Sequence, residues 1–187
     1  MAYSGEGFVL LQGVIEAVTG MELSAYLDQQ VFAPLGMAAT SLVWRDAFAE
    51  RAVSGRTSLG FRQRSRFRSA VAAASLYTTA ADYSILMSAL LANDPLMALT
   101  LANPVEVDGP LGLQRGLGWG IEQAQGGPYI WQWGNNPGFR AFAMASVASK
   151  DGFVIFTNSD RGMPLAASVA QSVLPADHGA FRFSWVA

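Results

Sequence analysis

The second half of the chain contains four short segments in which apolar and polar residues alternate or form a short apolar block, around residues 117–121, 129–133, 139–145 and 153–157. This pattern is typical of β-strands, because successive side chains of a strand point to opposite faces of its sheet. Glycine, proline and aspartate turns lie between the segments, so consecutive strands are expected to pair as antiparallel neighbours. Lys150-Asp151-Gly152 is predicted to be the hairpin turn between the last two.

Helical spacing of apolar residues predicts four helices, at residues 7–19, 23–31, 79–93 and 163–173. Gly20 is a stop signal for the first helix, and Pro34 limits the second, because proline disfavours helix in the residue before it. Thr79 is expected to cap the third helix, and Pro95 is interpreted as lying beyond its end. The segment 44–74 shows no period and is expected to be irregular. Helices, then consecutive strands and a closing helix, predict an α+β fold with an antiparallel sheet.

Composition places the chain among ordinary globular proteins, with 187 residues, 51% apolar and 14% charged, and a formal net charge of −2. One domain with a sizeable core is the expectation from this length. A charge near zero gives no reason to expect a nucleic acid or an anionic membrane as partner. The absence of cysteine excludes disulfides and thiolate metal sites, and no apolar run reaches the ~18 residues of a membrane span.

Two groups of basic residues are interpreted as structural. Arg62, Arg64, Arg66 and Arg68 alternate with other residues, and a solvated loop is the interpretation for so short a run in a chain of negative net charge. His178 is the only histidine. A single histidine near a C-terminus, without other metal ligands, is expected on the surface.

Short strings of residues occur in an order that is more specific than any one of them. The strings are Tyr3-Ser4-Gly5, Pro34-Leu35-Gly36-Met37, Leu76-Tyr77-Thr78-Thr79, Gly116-Leu117-Gly118-Trp119-Gly120, Trp133-Gly134-Asn135-Asn136-Pro137-Gly138 and Thr157-Asn158-Ser159. Their order and spacing resemble the class C β-lactamase-like serine hydrolases, a family that includes penicillin-binding esterases and D-aminopeptidases. The resemblance implies a β-lactamase/transpeptidase-like fold in which 1–187 is a single partial domain, with 1–112 mainly helical and loop, and 113–187 antiparallel strands plus the C-terminal helix.

In the family that the chain resembles, three motifs meet in one cleft. A Ser-x-x-Lys element provides a serine that its lysine activates, a Tyr-x-Asn loop supplies a proton carrier, and a strand with Lys, His or Trp, then any residue, then Gly closes the other side. The first motif is absent here, because Lys150 is the only lysine and Val147 stands three residues before it. The resemblance therefore implies a missing N-terminal segment of the same fold, which carries the nucleophile.

Tyr3-Ser4-Gly5 matches the second motif in altered form. By the resemblance, Tyr3 is the general base or acid if nearby cations lower its pKa. Gly5 lies at a substrate-binding position, but it replaces asparagine and lacks the amide that would contact substrate. The alternative interpretation is a solvated tyrosine near a terminus, and it is the one favoured for the isolated chain.

Gln132-Trp133-Gly134 matches the third motif, also in altered form. Gln132 replaces the usual cation or histidine, and it forms hydrogen bonds but carries no charge. Strand alternation places Gln132 and Trp133 on opposite faces, so one of them should face the cleft. By the resemblance, Gln132, Trp133 and Gly134 bind substrate, and the backbone N–H of Asn135 holds the oxyanion. The alternative is an ordinary strand end with a tryptophan in the core, followed by a turn.

Two functions remain open from the sequence. One is a fragment of a serine hydrolase that acts on an amide, ester or β-lactam in a small molecule or peptide. The isolated chain is expected to be inactive, and the reaction is expected to need no cofactor or metal. The altered motifs favour an esterase or peptidase over a strong β-lactamase. The other is a degenerate, non-catalytic member that binds a ligand or partner. The resemblance implies a periplasmic or secreted location. Loss of the upstream segment should expose apolar residues such as Trp131, Phe153 and Ile155.

Overall fold

The structure is a computed structural model that describes residues 4–57, 59–62 and 64–186. Contacts between Cα atoms divide the chain into two compact units. The first consists of Met1–Val53 and Arg64–Leu86, and the second of Ser54–Gln63 and Met87–Ala187. Each unit is described by itself below.

The first unit opens with two consecutive helices. α1 spans Gly5–Thr19 and α2 spans Leu23–Leu27, and a π-helical turn over Asp28–Phe32 continues α2. The hydroxyl of Ser4 accepts a hydrogen bond from a backbone N–H in the first turn of α1. The chain leaves α1 through Gly20 with a φ of 69°, a left-handed conformation that glycine adopts without strain. Both predicted helices are confirmed.

The segment 44–74, predicted to be irregular, contains a 3-10 turn at Asp46–Phe48 and a short pair of strands at Gly55–Thr57 and Gly60–Arg62 that belongs to the second unit. The alternating arginines do more than face solvent. The guanidinium carbons of Arg64 and Arg66 lie 5.6 and 4.9 Å from the ring centroid of Trp44. At these distances the cations are attracted to the face of the indole ring, so the basic stretch helps to order this segment.

Helices α3 (Ala80–Ala92) and α4 (Asp94–Ala102) follow with one residue between them. The Oγ1 atom of Thr79 accepts a hydrogen bond of 3.1 Å from the first turn of α3, which confirms the predicted cap. Pro95 lies beyond the end of α3, as predicted, and it stands in the first turn of α4, where the missing N–H costs nothing. The side chain of Asn93 caps this second helix. Among the described residues, no single helix is long and apolar enough to cross a membrane, although two bent helix pairs reach that length and composition.

A six-stranded antiparallel sheet forms the centre of the second unit, and its strands are neighbours in chain order. With the helices, this sheet confirms the predicted α+β class. A separate short hairpin and one further helix complete the unit. The strands of the hairpin are β1 (Gly55–Thr57) and β2 (Gly60–Arg62); those of the sheet are β3 (Val105–Asp108), β4 (Leu113–Arg115), β5 (Gly120–Ala124), β6 (Gly127–Asn136), β7 (Phe139–Ser146) and β8 (Gly152–Thr157); the helix is α5 (Met163–Val173).

The strand predicted at 117–121 is partly wrong. β5 begins at Gly120, and residues 117–119 form a bend after β4. Leu117 is accordingly exposed. A side chain at position 120 would collide with Trp131, since a Cβ built there lies 2.3 Å from the indole ring. The glycine therefore allows the ring of Trp131 to lie directly over the start of β5.

The core of the second unit lies between the sheet, α5 and the C-terminal segment. Trp131 and Phe142 stack there at a centroid distance of 6.1 Å. Trp131 is 1% exposed, so the prediction that it would be uncovered is wrong, because α5 and the C-terminal segment cover this face. Phe153 and Ile155 are half-buried against the same core, whose buried members are Leu113, Tyr129, Trp131, Phe142, Met144, Met163, Ala166, Leu174, Ala180, Phe183 and Val186.

His178 is a correction to the sequence interpretation, because it is buried rather than on the surface. Its Nδ1 atom lies 3.2 Å from Oε2 of Glu122, and its Nε2 atom lies 2.8 Å from the carbonyl oxygen of Leu174. The other carboxylate oxygen accepts from the backbone N–H of Gly179. Both ring nitrogens therefore face acceptors, an arrangement that only the doubly protonated, charged imidazole satisfies.

Burial by itself lowers the pKa of His178. The hydrogen bonds to Glu122 and Leu174, together with the negative charges of Glu122 and Asp177, outweigh burial and raise the pKa above its ordinary value of 6.5. The folded state therefore holds this proton more tightly than the unfolded chain does. The resulting stabilisation is complete below the unfolded pKa and is lost as pH rises through the folded pKa.

We predict that His178→Gln destabilises the protein most at about pH 6 and progressively less towards about pH 9, because only the wild type loses a favourable proton over this range. The measurement is the free energy of unfolding in urea for both proteins at several pH values. The N-terminal amine titrates equally in both and cancels in the comparison. A difference between the two proteins that is constant, or that grows with pH, would contradict the charged pair.

Candidate active site

The strand β6 extends beyond the end of its neighbour β5. The β5–β6 ladder pairs Gly120 with Trp131 and ends there. The β6–β7 ladder continues to Asn136, which pairs with Phe139. Among the described strands, residues 132–136 are thus paired with β7 alone, and they form a strand end with one side uncovered by the sheet.

The register determines which backbone groups of β6 point to that side. The two-residue turn at 125–126 makes Ala124 and Gly127 a hydrogen-bonded pair. Hydrogen-bonded pairs recur every second residue, so Trp131 directs its N–H and C=O towards β5. By the same period Asn135 directs its N–H to this side, beyond the point where β5 has ended. The turn at 137–138 gives the same result, because it makes Asn136 and Phe139 the pair that bonds across to β7.

The side chains of Gln132 and Trp133 lie on opposite faces, as strand alternation requires. Trp133 packs against the core that contains Trp131. Gln132 is half-buried and does not belong to that core. Of the two residues, Gln132 is therefore the one whose side chain is left for polar contacts at this strand end.

Arg115 at the end of β4 is the residue that the sequence interpretation missed. Its Nη2 atom donates to Oε1 of Gln132 at 3.0 Å and lies 3.4 Å from the carbonyl oxygen of Gly118. Its guanidinium carbon lies 6.0 Å from the ring centroid of Trp131. No local motif marks Arg115, since it is separated from Gln132 by 17 residues and approaches it only through the strand register.

The turn that follows the candidate oxyanion position is held rigidly. Oδ1 of Asp160 accepts from the backbone N–H of Gly138 at 2.7 Å and from Nη1 of Arg140 at 3.1 Å. Gly138 has a φ of 83°, and its carbonyl accepts from the backbone N–H of Arg56 at 3.1 Å. A Cβ at Gly138 would lie 2.9 Å from the backbone of Gly55, so only glycine fits this close approach.

Two further predicted site residues, Tyr3 and Gly5, do not belong to this strand. Tyr3 is outside the described residues. Gly5 is the first residue of α1 in the first unit, and it is half-buried. A Cβ built on it would lie 3.6 Å from the Cβ of Ala73. The structure thus brings together Gln132, Trp133, Gly134 and Asn135 on one strand end, and it adds Arg115 beside them.

The single lysine is engaged away from this strand end. The Nζ atom of Lys150 donates to the carbonyl oxygen of Leu91 at 2.7 Å and lies 3.6 Å from Oδ1 of Asp94. β7 and β8 form the predicted hairpin, but the turn lies at 147–149, and Gly152, predicted in the turn, is the first residue of β8. Lys150 lies in this connection with a φ of 65°. Within the described part of the chain, no group of three or more histidine, aspartate and glutamate side chains is arranged to hold a metal ion.

Comparison with known proteins identifies the fold. A model of the family described as Beta-lactamase matches residues 1–177. A β-lactamase/D-alanine carboxypeptidase from Pseudomonas syringae is similar at 16% identity and a TM-score of 0.78, over 92% of this chain and 58% of that one. A class C β-lactamase is similar at 19% identity and a TM-score of 0.77, over 92% of this chain and 56% of that one.

A D-amino acid amidase from Ochrobactrum anthropi SV3 is similar at 23% identity and a TM-score of 0.69, over 85% of this chain and 50% of that one. At these identities the likeness shows the fold alone. The chain spans between half and three-fifths of the length of these three solved structures. No protein in a search of curated sequences matches it.

We predict that Asp160→Ala lowers the free energy of unfolding by roughly 1–3 kcal/mol, because it leaves the backbone N–H of Gly138 without its acceptor and removes the carboxylate partner of the half-buried Arg140. Amide hydrogen exchange at Gly138 should accelerate at the same time. Asp28→Ala is the control, since it removes the exposed ion pair with Arg45 and should cost less than about 1 kcal/mol. Equal effects of the two substitutions would show that Asp160 does not hold the turn.

Proposed function

The chain belongs to the β-lactamase family, and from this premise we propose that it forms one side of the catalytic cleft of a serine hydrolase. The reaction is cleavage of an amide, an ester or a β-lactam through an acyl-serine intermediate. The serine oxygen attacks the carbonyl carbon and loses its proton to a base, and the leaving group departs with a proton. Water then attacks the acyl-serine and releases the acid. This chemistry uses only protein side chains and needs no cofactor.

The single observation that carries the proposal is the state of the only lysine. A serine activated by lysine requires the two side chains within hydrogen-bond reach. Lys150 instead binds the carbonyl of Leu91 and approaches Asp94, and the residue three before it is Val147. The nucleophile therefore comes from a part of the fold that this sequence does not contain, and the chain by itself is inactive.

Each predicted site residue has a role in this proposal. Tyr3 transfers the proton as general base or acid, and Gly5 lies beside the substrate. The backbone N–H of Asn135 donates to the oxyanion; its direction away from β7 supports this role. Gln132, Trp133 and Gly134 form the strand along which substrate binds.

The surface of α1 supports the proposal that more of the fold covers this chain. No residue of α1 is buried, and Leu10 and Val18 are 73% and 80% exposed. A shallow groove along the helix is lined mainly by Val9, Leu10, Gly13, Val14 and Ala17. Contiguous apolar surface of this kind is typical of an interface. We assign it to the missing N-terminal segment of the same fold.

A second candidate function is binding without catalysis, and the replacement of a charged or histidine side chain by Gln132 favours it. The two functions differ in what the gene encodes upstream of Met1. An open reading frame with a Ser-x-x-Lys sequence supports the hydrolase. An in-frame stop codon before any such sequence supports a non-catalytic protein of this family.

We predict that the purified chain does not hydrolyse nitrocefin or p-nitrophenyl acetate above the rate in buffer, because it contains no lysine-activated serine. The measurement is spectrophotometric, and a fluorophosphonate probe serves as an independent assay for an activated serine. Stoichiometric labelling of one serine would show that the chain carries its own nucleophile, and the fragment proposal would then have to be abandoned.

We also predict that the isolated chain associates in solution, and that the double change Leu10→Gln and Val14→Gln shifts it towards monomer. These side chains are largely exposed, so the change should cost little folding free energy while it removes apolar surface. The measurement is sedimentation velocity over a range of concentrations. Leu59→Gln is the control, since Leu59 is exposed but lies outside the groove. A wild-type chain that stays monomeric throughout would count against a missing cover on α1.

A further inference from the structure

The first unit contains a hollow of about 300 Å³ beside the π-helical turn over Asp28–Phe32. All the residues that line it lie between positions 28 and 45, so the hollow belongs to the first unit alone, and none of them lines the groove along α1. Its volume is at the lower end of the range for small-molecule sites. Because π-helical turns are rare and are frequent at functional sites, the hollow is a candidate binding site.

The floor of the hollow is apolar, and the backbone holds it in place. Phe32 and Met37 line it and are only 5% and 2% exposed. The chain reverses at Gly36, which has a φ of 71°, and the backbone N–H of Met37 donates to the carbonyl of Phe32 at 2.8 Å. Ala33 and Ala38 also line the hollow, and their small side chains leave space above the floor. The floor therefore suits an apolar group.

The exposed part of the lining carries one charge of each sign. Nη2 of Arg45 donates to Oδ1 of Asp28 at 3.0 Å, and the two side chains are 39% and 51% exposed. The guanidinium carbon of Arg45 also lies 5.9 Å from the ring centroid of Phe48, which limits its orientation. A guanidinium has five N–H donors and a carboxylate has two acceptor oxygens. One hydrogen bond between them leaves both groups with capacity to bind a ligand.

We propose that this hollow binds a free α-amino acid with an apolar side chain. The carboxylate of the ligand binds Arg45, its ammonium group binds Asp28, and its side chain lies on the floor formed by Phe32 and Met37. The two charges of an α-amino acid stand on one carbon atom, and the two charged groups of the protein are in direct contact, so the spacings match. A ligand with a single charge would compete with one member of the pair and leave the other without a new partner. The inference goes beyond the proposed function and does not depend on it.

The test compares three probes that share a phenyl group. L-Phenylalanine carries both charges, phenethylamine lacks the carboxylate, and 3-phenylpropanoate lacks the ammonium group. Each is titrated into the purified 187-residue chain by calorimetry, and amide shifts at Met37 report where it binds. We expect L-phenylalanine to bind roughly fivefold more tightly than either other probe, the upper value for one exposed ion pair. Both preferences should weaken as sodium chloride is added.

Two nearly isosteric variants separate the two charges. Arg45→Gln should abolish the preference for L-phenylalanine over phenethylamine, and Asp28→Asn should abolish the preference over 3-phenylpropanoate. A general loss of structure would weaken all three probes together and could not produce this crossed result. Arg182→Gln is the matched control, because it breaks another exposed ion pair, between Arg182 and Asp177, in the second unit. It should keep both preferences.

Four results would overturn the assignment. They are equal binding of the three probes by the wild type, preferences that persist in Arg45→Gln and Asp28→Asn, absence of binding, and amide shifts at Asn135 in place of Met37. The last result would move the probes to the end of β6 and leave the hollow without a ligand. Because the assay needs no nucleophile, its outcome is independent of whether the parent protein is a hydrolase.

Discussion

The packing of Trp131 over Gly120 is the contact on which the candidate site depends. The indole ring occupies the space that any side chain at position 120 would need, and this close approach is where the β5–β6 ladder ends. Because the β5–β6 ladder ends at this pair, β6 continues with one side uncovered, and Asn135 directs its N–H to that side. The same ring lies beside the guanidinium of Arg115. One buried contact thus fixes the core, the length of the open strand end and the position of the nearby cation.

The elements that the sequence predicted correctly are those long enough to show a period. α1, α5 and the strands β6, β7 and β8 each display several residues of their pattern, and their existence is confirmed. β3 and β4 have only four and three residues, too few to show alternation, and they were not predicted. α4 was not predicted either, because a proline such as Pro95 is compatible both with the end of one helix and with the start of the next. His178 and Arg115 could not be placed for a different reason. His178 contacts a residue 56 positions away, which the packing of the C-terminal segment against β5 brings near. Arg115 contacts a residue 17 positions away, which the strand register brings near.

The buried pair of His178 and Glu122 has a structural role. Both ring nitrogens and both carboxylate oxygens form hydrogen bonds inside the protein, so the pair has no polar atom left for a ligand and contributes to stability. Sequence alone drew attention to the histidine but placed it on the surface, because the residues that bury it are distant in the chain.

Fold similarity in this family carries positions rather than chemistry. The solved relatives share 16–23% identity with the chain and keep the sheet and its helices, because burial needs only apolar residues of suitable size at suitable spacing. Catalysis needs particular side chains at particular atoms, and the only lysine of this sequence, Lys150, contacts Leu91 and Asp94 instead of a serine.

The two edge strands of the sheet differ from each other in charge. β3 carries Glu106 and Asp108, charges that protect an edge exposed to water, whereas β8 carries no charge. The sheet face around Trp131 is already covered by α5, so it needs no further segment. The edge strand β8 and the apolar face of α1, in contrast, have the composition of surfaces that another segment covers.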